Sequence, residues 1–164
     1  MKRKTRIDLF KENFKFSSGH FTIFSATERE NLHGHNFTVH LSFDADIEEN
    51  GMIFDYAVAK RHMETMCRSL NEYFLLPARS KFLRIEEQSD YTYAHFNTEK
   101  IPFLKRDIKI LPVENITLEE LAHYFVQEFV AEFVKKSGHP ISRIDIRVFS
   151  GPGQSANAVW EKAA

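Results

Sequence analysis

The chain contains a single cysteine, Cys67, among its 164 residues. One thiol excludes an internal disulfide framework and any metal site built mainly from thiolates, so a bound metal must be held by histidine. No run of the sequence reaches the roughly 18 to 20 consecutive apolar residues of a membrane span, and the basic start lacks the apolar segment of a signal peptide. We therefore expect a cytoplasmic protein without membrane contact.

An excess of charge of one sign is also lacking, because 22 basic residues are offset by 23 acidic ones. This balance gives no electrostatic footprint for nucleic acid, so we expect no such partner. No low-complexity tract, linker or repeat interrupts the chain, which predicts one domain over residues 1–164. Sixteen phenylalanines are the one compositional excess, and they predict a large core.

Alternation of apolar and polar residues predicts two adjacent strands. Residues 36–44 alternate strictly, with the inward set Phe37, Val39, Leu41 and Phe43. Residues 6–20 are also strand-like, but the alternation changes phase near residues 10–12, which predicts a bulge there. The second half places four residues on a common face: Phe14, Phe16, Ser18 and His20.

Helical spacing predicts a helix within residues 54–70 and a second at about 118–136. Thr117 and Glu120 match a capping box at the start of the second helix, and Gly138 with Pro140 ends it. Strands are predicted over residues 144–148 and 156–160, and a hairpin over 82–96. The order predicts an α+β domain with two helices packed on one face of an antiparallel sheet.

Three histidines have the inward parity of the first two strands. His33 and His35 flank Gly34 and share the parity of Phe37, and side chains at positions i and i+2 of a strand lie about 7 Å apart. His20 ends the preceding strand. Such a set is typical of a catalytic zinc site with one open position. Spacing alone leaves a second interpretation, because a chain with eight histidines often has such a pair on its surface or in its core.

An ordered set of motifs resembles the family of 6-pyruvoyl- and 6-carboxytetrahydropterin synthases. The motifs are FSSGH at 16–20, LHGHNF at 32–37, GMIFD at 51–55, LNEYFLLP at 70–77, LP at 111–112 with Asn115, Thr117 and Glu119, and GQSA at 153–156. The resemblance implies a tunnelling fold, with a four-stranded antiparallel sheet and two helices, assembled as a homotrimer or homohexamer. It also implies a Zn²⁺ ion bound by His20, His33 and His35, and a pterin substrate, 7,8-dihydroneopterin or its triphosphate.

The catalytic residues of that family are not all present. The usual cysteine before the HGH motif is missing, and the usual Asp-His pair corresponds to Asn71 and Glu72. Glu30, three residues before His33, resembles a variant branch in which glutamate replaces cysteine and the side chain is cleaved to 6-hydroxymethyl-7,8-dihydropterin. A carboxylate is a competent proton acceptor for retro-aldol cleavage. The other interpretation of residues 28–30 is a solvated charged loop.

The glutamate that anchors the pterin in the family corresponds to Ser150, which brings no charge. Glu119 and Gln154 are candidate substitutes, and Thr117 belongs to the same motif, so we predict that these four residues bind substrate. Three functions remain open. They are a zinc-dependent lyase with Glu30 as its base, an orthodox 6-pyruvoyl- or 6-carboxytetrahydropterin synthase, and a zinc-stabilised binding or assembly protein without turnover.

Overall fold

A computed structural model describes residues 3–163. The strands are β1 (Lys4–Leu9), β2 (Lys15–His20), β3 (His33–Asp46), β4 (Tyr73–Pro77), β5 (Leu83–Gln88), β6 (Tyr91–Phe96), β7 (Glu99–Leu104), β8 (Ile108–Leu111), β9 (Ile141–Phe149) and β10 (Ser155–Glu161). The helices are α1 (Ala57–Leu70) and α2 (Leu118–Phe129), which continues through a π-helical segment (Val130–Val134) and a last turn (Lys135–Ser137). Within this range, neither helix has the length and apolar character needed to cross a membrane.

The main sheet has seven strands in the order β10-β9-β3-β2-β4-β8, with β1 also paired to β3. The predicted sheet of four strands is therefore wrong in strand number, because the main sheet has seven. The prediction that all strands are antiparallel is also wrong, because β4 runs parallel to both β2 and β8. The alternation that reveals a strand is absent from β4, since the adjacent residues Leu75 and Leu76 are both fully buried, in two different cores. A strand covered on both faces has no polar side to mark its period.

Strands β1 and β2 lie along the same edge of β3. Leu9 is opposite Leu41 and Lys15 is opposite Thr38, so five residues on one side face two on the other. The predicted bulge near residues 10–12 is thus a longer interruption that separates two strands. It changes the phase of the alternation and lets His20 point to the same side as the β3 core residues.

The large core lies between the main sheet and the two helices. The predicted inward residues Phe37, Val39, Leu41 and Phe43 of β3 are each at most 2% exposed, and both helices bury side chains in the same core. Thr117 accepts a hydrogen bond from the Glu120 amide at 3.3 Å, as the capping box requires. The reciprocal bond is not made, because the Glu120 carboxylate accepts the amide of Glu114 at 2.9 Å instead.

A three-stranded antiparallel insert, β5-β6-β7, lies between β4 and β8 in the chain. The predicted hairpin over residues 82–96 corresponds to β5 and β6, and β7 was missed because it is mostly exposed and contains Pro102. The insert has its own small core, to which Phe96 contributes from β6 and Phe21 and Ile23 contribute from the segment after β2. The insert therefore packs directly against the chain that follows His20.

Candidate active site

The ladder between β2 and β3 brings the three predicted histidines together. His20 is directly opposite His33 in the register, and His35 follows two residues later on the same face. The ring centroids lie 4.6 Å apart for His20 and His33, 5.2 Å for His20 and His35, and 4.9 Å for His33 and His35. One nitrogen from each ring lies within 4.8 Å of the others, which confirms the predicted convergence.

Backbone carbonyls fix the orientation of two of these rings. Nδ1 of His20 donates to the carbonyl of Ile116 at 2.9 Å, and Nδ1 of His33 donates to that of Asn31 at 2.7 Å. A proton on Nδ1 leaves the lone pair on Nε2, which is the arrangement that metal-binding histidines adopt with their second-shell partners. The Nε2 lone pairs of His20 and His33 are therefore available to coordinate a cation.

His20 is the most buried of the three residues, at 6% exposed. Burial lowers the pKa of its imidazole, and the nearby His33 and His35 add to this against the opposing hydrogen bond to Ile116. Its Nε2 is buried and has no hydrogen-bond partner among residues 3–163. A buried polar nitrogen without a partner is costly unless something coordinates it. The residues present therefore fit a metal site, and three imidazoles suit zinc with one position left open.

A short hairpin between β2 and β3 places Glu30 beside the triad. Thr22 and Glu30 bond through their backbones at 2.9 Å, and Ile23 forms a bridge with Arg29. Oε2 of Glu30 accepts the Thr22 amide at 2.9 Å and lies 3.8 Å from Nε2 of His33. Partial burial alone would raise the pKa of this carboxyl, but the Thr22 hydrogen bonds and the neighbouring imidazoles together hold that pKa below its usual range. Glu30 is therefore ionised at neutral pH.

One cavity of about 340 Å³ contains nearly all of the predicted site residues. It is lined by His20, Thr22, Glu30, His35, Phe37, Ile116, Thr117, Leu118, Glu119, Ser150, Gln154, Ser155 and Ala156. These residues come from β2, the hairpin between β2 and β3, β3 itself, the start of α2 with the residues just before it, the turn between β9 and β10, and the start of β10. His33 is not part of the lining but completes the triad at its side.

The four predicted substrate-binding residues all line this cavity. Gln154 donates its side-chain amide to the Ser150 hydroxyl at 2.6 Å. The Thr117 hydroxyl is the helix cap described above, and Glu119 is exposed in the first turn of α2. The structure places all four residues in one cavity with the triad, and their roles in binding remain a prediction.

Sequence reasoning missed two residues that hold the Glu30 hairpin. The side-chain amide of Asn115 accepts the Ile23 amide at 3.1 Å and donates to the Ile23 carbonyl at 2.8 Å. A solvated charged loop was one of two interpretations of residues 28–30, yet the Arg29 side chain is only 15% exposed. Neither role had a sequence signal, because both depend on contacts between segments far apart in the chain.

Cys67, Asn71 and Glu72 do not line the cavity that contains Glu30. Cys67 is fully buried in α1, and burial raises the pKa of its thiol to about 12, so it is a core residue. Asn71 accepts the Ser17 amide at 2.8 Å. Glu72 lines a separate cavity of about 480 Å³ on the Gly19 and Gly34 side of the ladder.

Comparisons with known proteins agree with this geometry. A curated putative 6-carboxy-5,6,7,8-tetrahydropterin synthase of Methanocaldococcus jannaschii is 25% identical over 144 residues, which is 87% of each chain. The crystal structure of 6-pyruvoyl tetrahydropterin synthase from Plasmodium vivax is 26% identical, with a TM-score of 0.89 over 98% of this chain and 99% of that one. A variant of the P. vivax protein, in which a catalytic glutamate is replaced by alanine, is 24% identical over the same shares of both chains and has a TM-score of 0.90.

The family model for 6-pyruvoyl tetrahydropterin synthase matches residues 9–159. That range includes both strands of the histidine ladder, the Glu30 hairpin, the insert and the turn with Ser150 and Gln154. The protein is thus a lyase homologue with a histidine triad, and it belongs to the 6-pyruvoyl tetrahydropterin synthase family.

Proposed function

We propose that the protein is a zinc-dependent pterin lyase that cleaves the side chain of 7,8-dihydroneopterin or its triphosphate, with Glu30 as the base. The observation that carries this proposal is the position of the Glu30 carboxylate, which lines one cavity with His20 and His35 and lies 3.8 Å from Nε2 of His33. The P. vivax enzyme, which also has a catalytic glutamate, supports a carboxylate in this role.

Retro-aldol cleavage needs a proton acceptor at the side-chain hydroxyl of the substrate. The Glu30 carboxylate would take the proton from the hydroxyl on C2′, and the C1′–C2′ bond would then break. Its electron pair passes into the C6=N5 imine of the dihydropterin, and C2′ leaves as the carbonyl carbon of an aldehyde. The proton on Glu30 then returns to C1′, which gives 6-hydroxymethyl-7,8-dihydropterin. Atoms balance without an oxidant or reductant.

A zinc ion held by His20, His33 and His35 would supply Lewis acidity that makes a substrate hydroxyl easier to deprotonate. This matters for the proposed base, because Glu30 has a depressed pKa and is a weak acceptor on its own. The hydrogen bond from the Thr22 amide holds the carboxylate oxygen towards the triad. The protein's contribution is to keep an ionised, oriented carboxylate beside the place where the proton is lost.

Recognition of the pterin is proposed for Glu119, Ser150, Thr117 and Gln154, which line the same cavity. The amino-pyrimidinone edge of a pterin offers N–H donors, and the Glu119 carboxylate accepts such donors with the strength of a charge-assisted bond. The hydroxyls of Ser150 and Thr117 and the amide of Gln154 supply neutral partners in the same cavity. The loss of the family's anchoring glutamate at Ser150 is offset in this proposal by Glu119.

A second function is favoured by the M. jannaschii relative, which is a putative 6-carboxy-5,6,7,8-tetrahydropterin synthase. In that case the same triad would bind the same class of substrate, and the product would be the carboxy compound. Cys67 cannot serve as the family's thiol in such a reaction, because it is buried in the core away from the cavity. Glu30 would then be the base for this chemistry as well.

We also propose a homotrimer or homohexamer. β8 and β10 end the strand order of the main sheet, and edge strands favour association with another copy. Light scattering at micromolar concentration tests this proposal. A monomer would contradict it.

Product analysis tests the reaction. The zinc-loaded protein is incubated separately with 7,8-dihydroneopterin and with its triphosphate, and the products are identified by mass spectrometry. Formation of 6-hydroxymethyl-7,8-dihydropterin with a two-carbon aldehyde supports side-chain cleavage. A carboxy or pyruvoyl product would favour the orthodox reaction. No conversion of either substrate by zinc-loaded protein would contradict both and leave a binding or assembly role.

A further inference from the structure

The guanidinium of Arg29, the residue before Glu30, joins the Glu30 hairpin to the three-stranded insert. Nη1 donates to the backbone carbonyl of Glu30 at 2.7 Å. Nε and Nη2 both approach Oε2 of Glu99 at 2.7 and 2.5 Å. All three guanidinium nitrogens are engaged, and Glu99 is the first residue of β7. One side chain thus bridges two segments that are 70 residues apart.

The Arg29 side of this ion pair is shielded from solvent, whereas the Glu99 side chain is 49% exposed. The Arg29 guanidinium carbon lies 5.1 Å from the ring centroid of Phe21 and 5.8 Å from that of Phe96. Both rings belong to the insert core and are at most 2% exposed. Exclusion of water from one side of an ion pair strengthens it relative to an exposed pair, and the aromatic faces add a cation-π attraction.

The Glu30 backbone has few other supports. Its amide donates to the Thr22 carbonyl at 2.9 Å, and its carbonyl accepts from Arg29. The hairpin tip is exposed, with Phe24 at 63%. The insert therefore anchors one side of the hairpin. Phe21 and Ile23 are buried in the core of the insert, and Arg29 is bonded to Glu99 of its third strand.

We propose that Arg29 is a positioning residue, which uses Glu99 of the insert to fix the Glu30 backbone so that the carboxylate faces the histidine triad. This inference rests on the proposed function, in which Glu30 is the base. It assigns a role to the insert, which supplies no residue to the lining of the triad cavity. A base that is displaced by about an ångström can lose roughly 100-fold in rate while substrate affinity is kept.

Kinetics of three variants test the inference. Arg29→Met removes the bonds to the Glu30 carbonyl and to the Glu99 carboxylate. Glu99→Gln removes the negative charge that faces Arg29. Arg29→Lys keeps the positive charge but lacks the planar fork of nitrogens that reaches both partners. We expect kcat to fall roughly 10- to 100-fold in Arg29→Met, and less in Glu99→Gln and Arg29→Lys, with KM within about threefold and bound zinc unchanged. Arg84→Met is the matched control, because Arg84 pairs with Glu86 at 3.1 Å within the same insert and does not contact the hairpin.

Amide hydrogen exchange in the metal-free protein gives a readout that does not depend on turnover. The Thr22 amide donates to the Glu30 carboxylate, and the Glu30 amide donates to the Thr22 carbonyl. We expect both amides to exchange at least about tenfold faster in Arg29→Met, while the Leu41 amide in the core of β3 keeps its protection. Equal acceleration at Leu41 would show general destabilisation and overturn the inference.

The two proposals fail in different ways. If Glu30→Gln keeps full activity, the proposed base is wrong, and exchange at Thr22 and Glu30 alone decides whether Arg29 holds the hairpin. If Glu30→Gln is inactive but Arg29→Met retains kcat within about twofold, with unchanged exchange, the base stands and the positioning role of Arg29 is overturned.

Discussion

Oε2 of Glu30 lies 3.8 Å from Nε2 of His33, three residues later in the chain, and accepts the amide of Thr22 at 2.9 Å. The carboxylate is therefore held at the edge of the histidine triad by a backbone donor that does not depend on a metal. A reactive group fixed in this way loses little entropy when a substrate arrives. This relationship is the basis for proposing Glu30 as the base in a chain whose single cysteine is buried in the core.

Removal of one triad histidine should abolish metal binding. In His20→Ala, bound zinc should fall from about one equivalent per chain to near zero, because two imidazoles remain of the three needed for a tight site. The far-ultraviolet circular dichroism should be unchanged. Elemental analysis after dialysis measures the metal content. His123→Ala is the matched control, since His123 is an exposed histidine on α2, and equal zinc in both variants would exclude the triad as the site.

Ser150→Ala should affect binding more than chemistry. The hydroxyl that accepts from Gln154 is lost, and with it one neutral partner in the cavity. We expect KM to rise roughly three- to tenfold with kcat nearly constant. This is the effect of losing one hydrogen bond that is equally strong in the ground state and the transition state. Steady-state kinetics with the identified substrate measure both constants. A fall in kcat with constant KM would instead place Ser150 in the reaction.

Cys67→Ala should leave turnover intact. The thiol is fully buried in α1, and burial raises its pKa to about 12, so no thiolate is available at neutral pH. Loss of the sulfur atom from the core should lower the free energy of unfolding by roughly 1 kcal/mol. Activity assays and urea titration test the two halves of this prediction. A Cys67→Ala protein that is folded but inactive would contradict this prediction and would support a mechanism that uses the thiol.

His62 should contribute to acid sensitivity of the fold. It packs against Phe129 and Phe133, and burial lowers the pKa of its imidazole from the ordinary value of 6.5, with Lys136 acting in the same direction and Glu132 opposing. The unfolded chain then binds the proton more tightly, so stability falls as pH drops below about 6.5 and levels off below the folded-state pKa.

Urea titrations of wild type and His62→Leu at about pH 7.5 and about pH 5.5 test this assignment, since leucine fills the site without a titrating group. The loss of stability between the two pH values should be smaller in the variant. The comparison between proteins removes the contribution of the metal-site histidines, which both share. An equal loss in both would show that His62 does not account for the acid sensitivity.

Much of the site could be predicted from local pattern. The parity of His20, His33 and His35 follows from residues that alternate in two adjacent strands, so their convergence needs only the β2–β3 pairing. The insert and the mixed sheet could not be predicted in the same way. Leu75 and Leu76 are buried in separate cores, and the roles of Arg29 and Asn115 come from partners 70 and 92 residues away. Such contacts leave no periodic signal in the sequence.

Glu30→Gln tests the central claim most directly. Glutamine keeps the size of the side chain and its acceptor for the Thr22 amide, but it cannot take a proton at neutral pH. Turnover of 7,8-dihydroneopterin or its triphosphate should fall by at least about 100-fold, while bound zinc and the unfolding midpoint stay at wild-type values. Wild-type turnover in a zinc-loaded Glu30→Gln protein would contradict the assignment of Glu30 as the base.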